Sequence, residues 1–110
     1  MTEFEARERL LARLAELDNE ERLNADSRDP VALRQDSVGR LSRMDAMQQQ
    51  AMAKAMQRRR EAERQRVHAA LARLDENEWG WCLTCGEAIA EARLQHDPSV
   101  GQCVGCASGT

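Results

Sequence analysis

Four cysteines, Cys82, Cys85, Cys103 and Cys106, stand in the pattern C-x2-C-x17-C-x2-C. Each C-x-x-C pair can bend so that two thiolates face one point. Two such pairs supply the four sulfurs that tetrahedral Zn²⁺ takes, at about 2.3 Å each. The intervening stretch falls within the span of four-cysteine zinc sites. Gly86 follows the second cysteine directly and can adopt the left-handed φ that a tight knuckle turn requires. Four protein ligands leave no open position for water, so the expected Zn²⁺ is structural, one per chain. Disulfides or a redox dithiol are the alternative uses of the same residues. In a reducing cytosol, metal is favoured over disulfides.

No other residues combine into a reactive set. His68 and His96 have no Ser–Asp or Cys companions in a catalytic pattern, and no Gly-rich loop is built to cradle phosphate. Cysteines committed to metal are poor nucleophiles. His96 reads as a surface residue in the zinc loop rather than a fifth ligand. The chain is therefore expected not to be an enzyme.

The rest of the chain has to position the cysteines. Charged residues make up 32% and aromatics 3%, which argues against a large globular core. Ala, Leu, Arg, Glu, Gln and Met dominate, and these favour helix. The opening MTEFEARERL is charged from its third residue, unlike a signal peptide. No apolar run approaches the ~18 residues of a membrane span. These features lead us to expect a cytoplasmic protein with no membrane association.

Thr2 and Glu5 fit a capping box, and Phe4, Leu10, Leu11, Leu14 and Leu17 recur at helical spacing. A first helix is predicted over about 3–24. Asp26, Ser27, Asp29 and Pro30 then form a break, because Pro30 disfavours helical geometry at Asp29. Asp36 or Ser37 can cap a second helix over about 37–76, which would be ~60 Å long. Folding back through the 25–36 turn gives a mainly α architecture: a long antiparallel helical hairpin over 1–76, with its tip near 25–45, and a C4 zinc module over 77–110. If residue 24 faces residue 37, Glu3 and Glu5 arrive near Arg58, Arg59 and Arg60, and residues 61–76 run beyond the first helix. Met44, Met47, Met52 and Met56 are then expected in the hairpin packing, and Trp79 and Trp81 are expected to cover the zinc site. The basic run at 58–60, with Arg64 and Arg66, reads as a solvated face making interhelical pairs.

The run RLDENEWGWC into C-x-x-C-G, then an RL…P segment and a second C-x-x-C, resembles the DksA/TraR family over Ala70–Cys106. DSVGRLSRMDAM at 36–47 also looks like family sequence. The resemblance implies a monomeric transcription regulator that binds bacterial RNA polymerase through its secondary channel. There, acidic residues of the tip act near the catalytic Mg²⁺ and the trigger loop. It also implies destabilised promoter complexes, control of rRNA promoters and joint action with the alarmone ppGpp. The tip carboxylates available here are Asp26, Asp29, Asp36 and Asp45, with Asp36 and Asp45 in the stretch most like the family. Where long members carry Asp-x-x-Asp-x-Ala, this chain has Asp26-Ser27-Arg28-Asp29-Pro30-Val31. Arg66 and Arg93 are the cations available to ppGpp. Asp97, before Pro98, puts a carboxylate where ppGpp-responsive members have a basic residue, and it would repel a polyphosphate. The C-terminal helix of longer members has no counterpart in the four residues after Cys106.

Two other function classes compete. GATA-type fingers share the cysteine spacing and bind DNA, which demands a basic module. Residues 75–110 instead hold Asp75, Glu76, Glu78, Glu87, Glu91 and Asp97 against Arg93, a net charge of −5. Direct DNA binding is therefore not expected. A zinc-capped coiled-coil adaptor with a non-polymerase protein partner remains the alternative, and dependence on the tip aspartates separates it from the first reading.

Overall fold

The computed structural model describes residues 1–24 and 40–109, leaving aside the side chains of 40 and 41. Helix α1 spans Glu3–Leu23. Thr2 caps it, its Oγ1 accepting from the Glu5 N–H at 3.1 Å, and Glu3 and Glu5 place negative charge at the positive end of the helix dipole. Helix α2 spans Arg40–Asp75, 36 residues, or about 54 Å of axial rise. The predicted break at 25–36 and the predicted helix start at 37 lie outside the described residues. Two short helices follow in the zinc module, α3 (Glu91–His96) and α4 (Val104–Ala107). The one bridge among the described residues is an isolated antiparallel pair, Trp81 with Ala88.

Helix α2 stops through its backbone. Asn77 takes a left-handed φ of 59°. The Asn77 N–H donates to the Leu74 carbonyl and the Glu78 N–H reaches back to the Arg73 carbonyl at 2.8 Å. This is the Schellman arrangement, and Asn, after Gly, is the residue best suited to its left-handed position. The chain is thereby turned off the helix axis just before Trp79 and Cys82.

Helices α1 and α2 pack antiparallel, as expected, but in a different register. Arg7 pairs with Asp75 at 2.8 Å, Arg13 with Glu63 through two bonds of 2.6 and 2.8 Å, Asp18 with Arg64, and Glu21 with Arg60 at 3.4 Å. With Glu21 opposite Arg60, residue 24 faces about residue 57 rather than 37. Glu3 and Glu5 therefore do not reach Arg58–Arg60. Residues 61–75 lie beside α1 rather than beyond it, and Arg40–Gln57 is the part of α2 that extends past Leu23. Charge pairs do form across the hairpin, but among the described residues only Asp18 and Glu21 of α1 meet basic residues of α2, while Arg7 and Arg13 reverse the expected sign by pairing with Asp75 and Glu63. The Arg13 guanidinium holds the Glu63 carboxyl below its usual range.

The register follows from where apolar surface can be covered on three sides. Ala6 and Leu10 of α1 are buried with Val67, Ala70 and Leu74 of α2, and the zinc module adds Trp79, Ile89 and Leu94 to the same cluster. Near the tip no third layer is present among the described residues. Met44, Met47, Met52 and Met56 are each more than half exposed (57%, 58%, 61% and 52%), so they do not form the hairpin packing expected of them.

Leu10 is 1% exposed at the meeting of both helices and the module. Leu10→Ala should therefore cost roughly 2–5 kcal/mol of unfolding free energy, measured by urea denaturation of the zinc-loaded chain. Met47→Ala should change it by less than about 0.5 kcal/mol.

Candidate metal centre

The first knuckle is built by backbone bonds around Cys82. Its N–H donates to the Glu87 carbonyl at 2.8 Å, and its own carbonyl accepts from the Gly86 N–H at 2.9 Å. Gly86 has φ +80°, as its position after Cys85 predicts, and an L side chain there would be strained. The second knuckle is the start of a helix: Cys103 is the residue before α4, and its carbonyl accepts from the Ala107 N–H at 2.9 Å. Two bonds join the knuckles. The Leu83 N–H donates to the Gly101 carbonyl, and Gln102 Nε2 donates to Thr84 Oγ1, both at 2.8 Å.

These supports bring the four predicted sulfurs together, all within 4.8 Å of one another. Cys85 and Cys103 Sγ are 3.8 Å apart. A tetrahedron of sulfurs at ~2.3 Å from its centre has an edge of about 3.8 Å. All four cysteines are free thiols rather than disulfides. Backbone N–H groups, that of Cys103 foremost, draw the Cys82 thiol down to about 6. The crowding sulfurs, Cys103 first, push Cys106 up to about 12. Four thiolates this close repel one another, and a dication supplies the charge that allows all of them to ionise. The cysteines hold one structural Zn²⁺, with every coordination position taken by protein.

The centre is fastened to the hairpin from several directions. Trp79 is buried, and its Nε1 donates to the Pro98 carbonyl at 2.9 Å. Trp81 is 53% exposed, so only Trp79 takes the covering role expected of both. The reason is their alternation about Gly80, which has φ +95° and turns the second indole outward. From α1, Arg9 Nη1 donates to the Gln95 carbonyl at 2.6 Å, and the Met1 amino group pairs with Glu91. Sequence reasoning missed these ties. The signal for the α1 tie was Arg9, one of four arginines among the acidic residues of this helix.

The tip candidates Asp26, Asp29 and Asp36 lie outside the described residues. Asp45 is exposed on α2, in the part that extends past α1. The Arg66 side chain is exposed on α2. Arg93 is half-buried and gives Nε to the Gln102 carbonyl at 2.8 Å. The two share no partner among the described residues. Asp97 is occupied locally: its Oδ1 accepts from the Ser99 N–H at 3.0 Å and the Ser99 hydroxyl at 2.7 Å. His96 is exposed at the end of α3 and takes no place in the sulfur cluster. No helix among the described residues is long and apolar enough to cross a membrane.

Residues 78–110 match the prokaryotic dksA/traR C4-type zinc finger. Comparison with curated protein sequences gives no match. Among solved structures, the transcription factor DksA2 from Pseudomonas aeruginosa superposes with a TM-score of 0.76 at 21% identity, over 97% of this chain and 81% of that one. The zinc module is thus that of the DksA/TraR family, and the whole chain has the DksA fold.

Removing zinc with a chelator, or replacing Cys103 with Ser, should unfold the module, because a core this small is held by its metal. The expected sign is a red shift of Trp79 emission, restored by added Zn²⁺ for the wild type and not for Cys103→Ser.

Proposed function

We propose that the protein is a transcription regulator that binds bacterial RNA polymerase and enters its secondary channel with the far end of the hairpin. The register carries this proposal. The zinc module and α1 hold the base half of α2, so Arg40–Gln57, with Asp45, extends about 27 Å past the end of α1. The zinc-finger match and the likeness to the transcription factor DksA2 support it. The zinc module fixes the base and the angle at which the rod leaves it. At the other end a carboxylate, from Asp36 or Asp45 with Asp26 and Asp29 nearby in sequence, perturbs Mg²⁺ or trigger-loop geometry and shortens the life of promoter complexes, rRNA promoters among them. The protein performs no chemistry of its own and acts as a cytoplasmic monomer. It makes no sequence-specific contact with DNA, because residues 75–110 carry a net charge of −5.

In this scheme ppGpp is at most an auxiliary effector, contacted by Arg66 and Arg93. Asp97 works against a full site, since its carboxylate would face the polyphosphate. The second reading, a zinc-capped adaptor for another protein, is favoured by the four exposed methionines of α2, because Met-rich surfaces suit adaptable protein binding.

The deciding experiment is multi-round transcription from an rRNA promoter with purified polymerase. Wild type should inhibit, while Asp36→Asn or Asp45→Asn should still compete for polymerase yet lose most of the inhibition. A folded, zinc-loaded wild type that neither binds polymerase nor alters transcription would transfer the assignment to the adaptor.

A further inference from the structure

Arg73, on the last turn of α2, is only 9% exposed. Its Nη2 donates to the Ser99 and Val100 carbonyls, each at 3.4 Å, which is long for such bonds. No carboxylate pairs with it among the described residues, and burial lowers its pKa. A buried cation bonded only to carbonyls is unfavourable unless a counter-charge lies nearby.

The backbone against which Arg73 rests leads to one. Gly101 follows the two acceptor carbonyls, and a Cβ placed on it would stand 3.6 Å from Arg73 Nη2 and 3.0 Å from Leu83 Cδ1. The Gly101 carbonyl accepts from Leu83, the residue after Cys82, and Gly101 itself lies two residues before Cys103. The guanidinium therefore sits on the strip of chain that joins the two knuckles. Four thiolates around Zn²⁺ carry a formal charge of −2 concentrated at one centre. The carbonyl end of α2 adds a smaller partial charge of the same sign.

We propose that Arg73 is a positioning residue for the zinc centre. Its charge offsets the dianionic zinc–thiolate cluster, and its Nη2 bonds the Ser99 and Val100 carbonyls to the end of α2. Retention of zinc and attachment of the rod are thereby one event. Arg73 is not a ligand, and the proposal does not depend on what the hairpin binds.

Two full-length variants test it. Arg73→Met retains the apolar stem and bulk without the charge, and Arg73→Lys retains the charge without the fork. Zinc affinity is read by competition with a chromophoric chelator, with no activity assay involved. Arg73→Met should weaken zinc binding by about tenfold or more, and Arg73→Lys should stay close to wild type. Wild-type affinity in both variants, or an equal loss in both, would show that charge is not the operative property and overturn the proposal. Should Arg73→Met fail to refold with zinc, Arg73→Lys decides alone: affinity near wild type sustains the proposal, and a loss of about tenfold overturns it.

Discussion

The zinc–thiolate centre is the constraint on which the rest of the structure depends. Helix α3 has six residues and α4 has four, far below the length at which a helix stands unaided. The module's buried apolar side chains are few, chiefly Trp79, Ile89 and Leu94. One cluster of four sulfurs joins two knuckles 17 residues apart in sequence and turns these fragments into a fixed surface. That surface then becomes the third side of the core. Ala6 and Leu10 are buried against α2 and the module together, so the metal stabilises the hairpin without touching it.

The register of the hairpin is a consequence of that base. Two helices alone bury only a narrow stripe, and they could slide by a heptad at small cost. The module removes this freedom at one end. Arg9 is tied to Gln95 and Arg7 to Asp75, and the Arg13–Glu63 pair is bidentate. Each exposed pair contributes little on its own. Together they reinforce the register that the three-way core sets. Arg60 and Arg64 complete the same choice further up, opposite Glu21 and Asp18.

The zinc site was legible in full from the sequence, because ligand type and spacing are local properties. So were both helices over their described lengths, and the glycine at 86, whose φ is set by the turn it must close. The register was not. Folding back through 25–36 put residue 24 opposite 37, and only the three-way core shows why α1 sits beside Val67, Ala70 and Leu74 instead. The apolar seam from Leu41 to Ala55 looked like hairpin packing, but periodicity reports which residues share a face, not whether that face is covered. Trp79 and Trp81 were indistinguishable in composition, and the turn at Gly80 separates them. Arg73 was invisible as a buried cation, because nothing in RLDEN marks one arginine of many as desolvated.

The register also explains the composition of α2. Near the zinc base the helix is held by packing, and it can use Val67 and two leucines there. Beyond Leu23 it has no support from α1, and its own propensity favours helix there. From 40 to 66 there is no Val, Ile, Thr, aromatic, Gly or Pro, and Ala, Met, Gln, Lys, Arg and Glu fill nearly every position. These are the residues that lose least on entering a helix. Nucleation has already been met by the packed half, so each further residue only has to propagate the helix. The methionines belong to the same solution, since they are good helix formers that leave apolar surface on a solvent-facing rod. Where α1 no longer packs on it, the composition of α2 itself favours the helix.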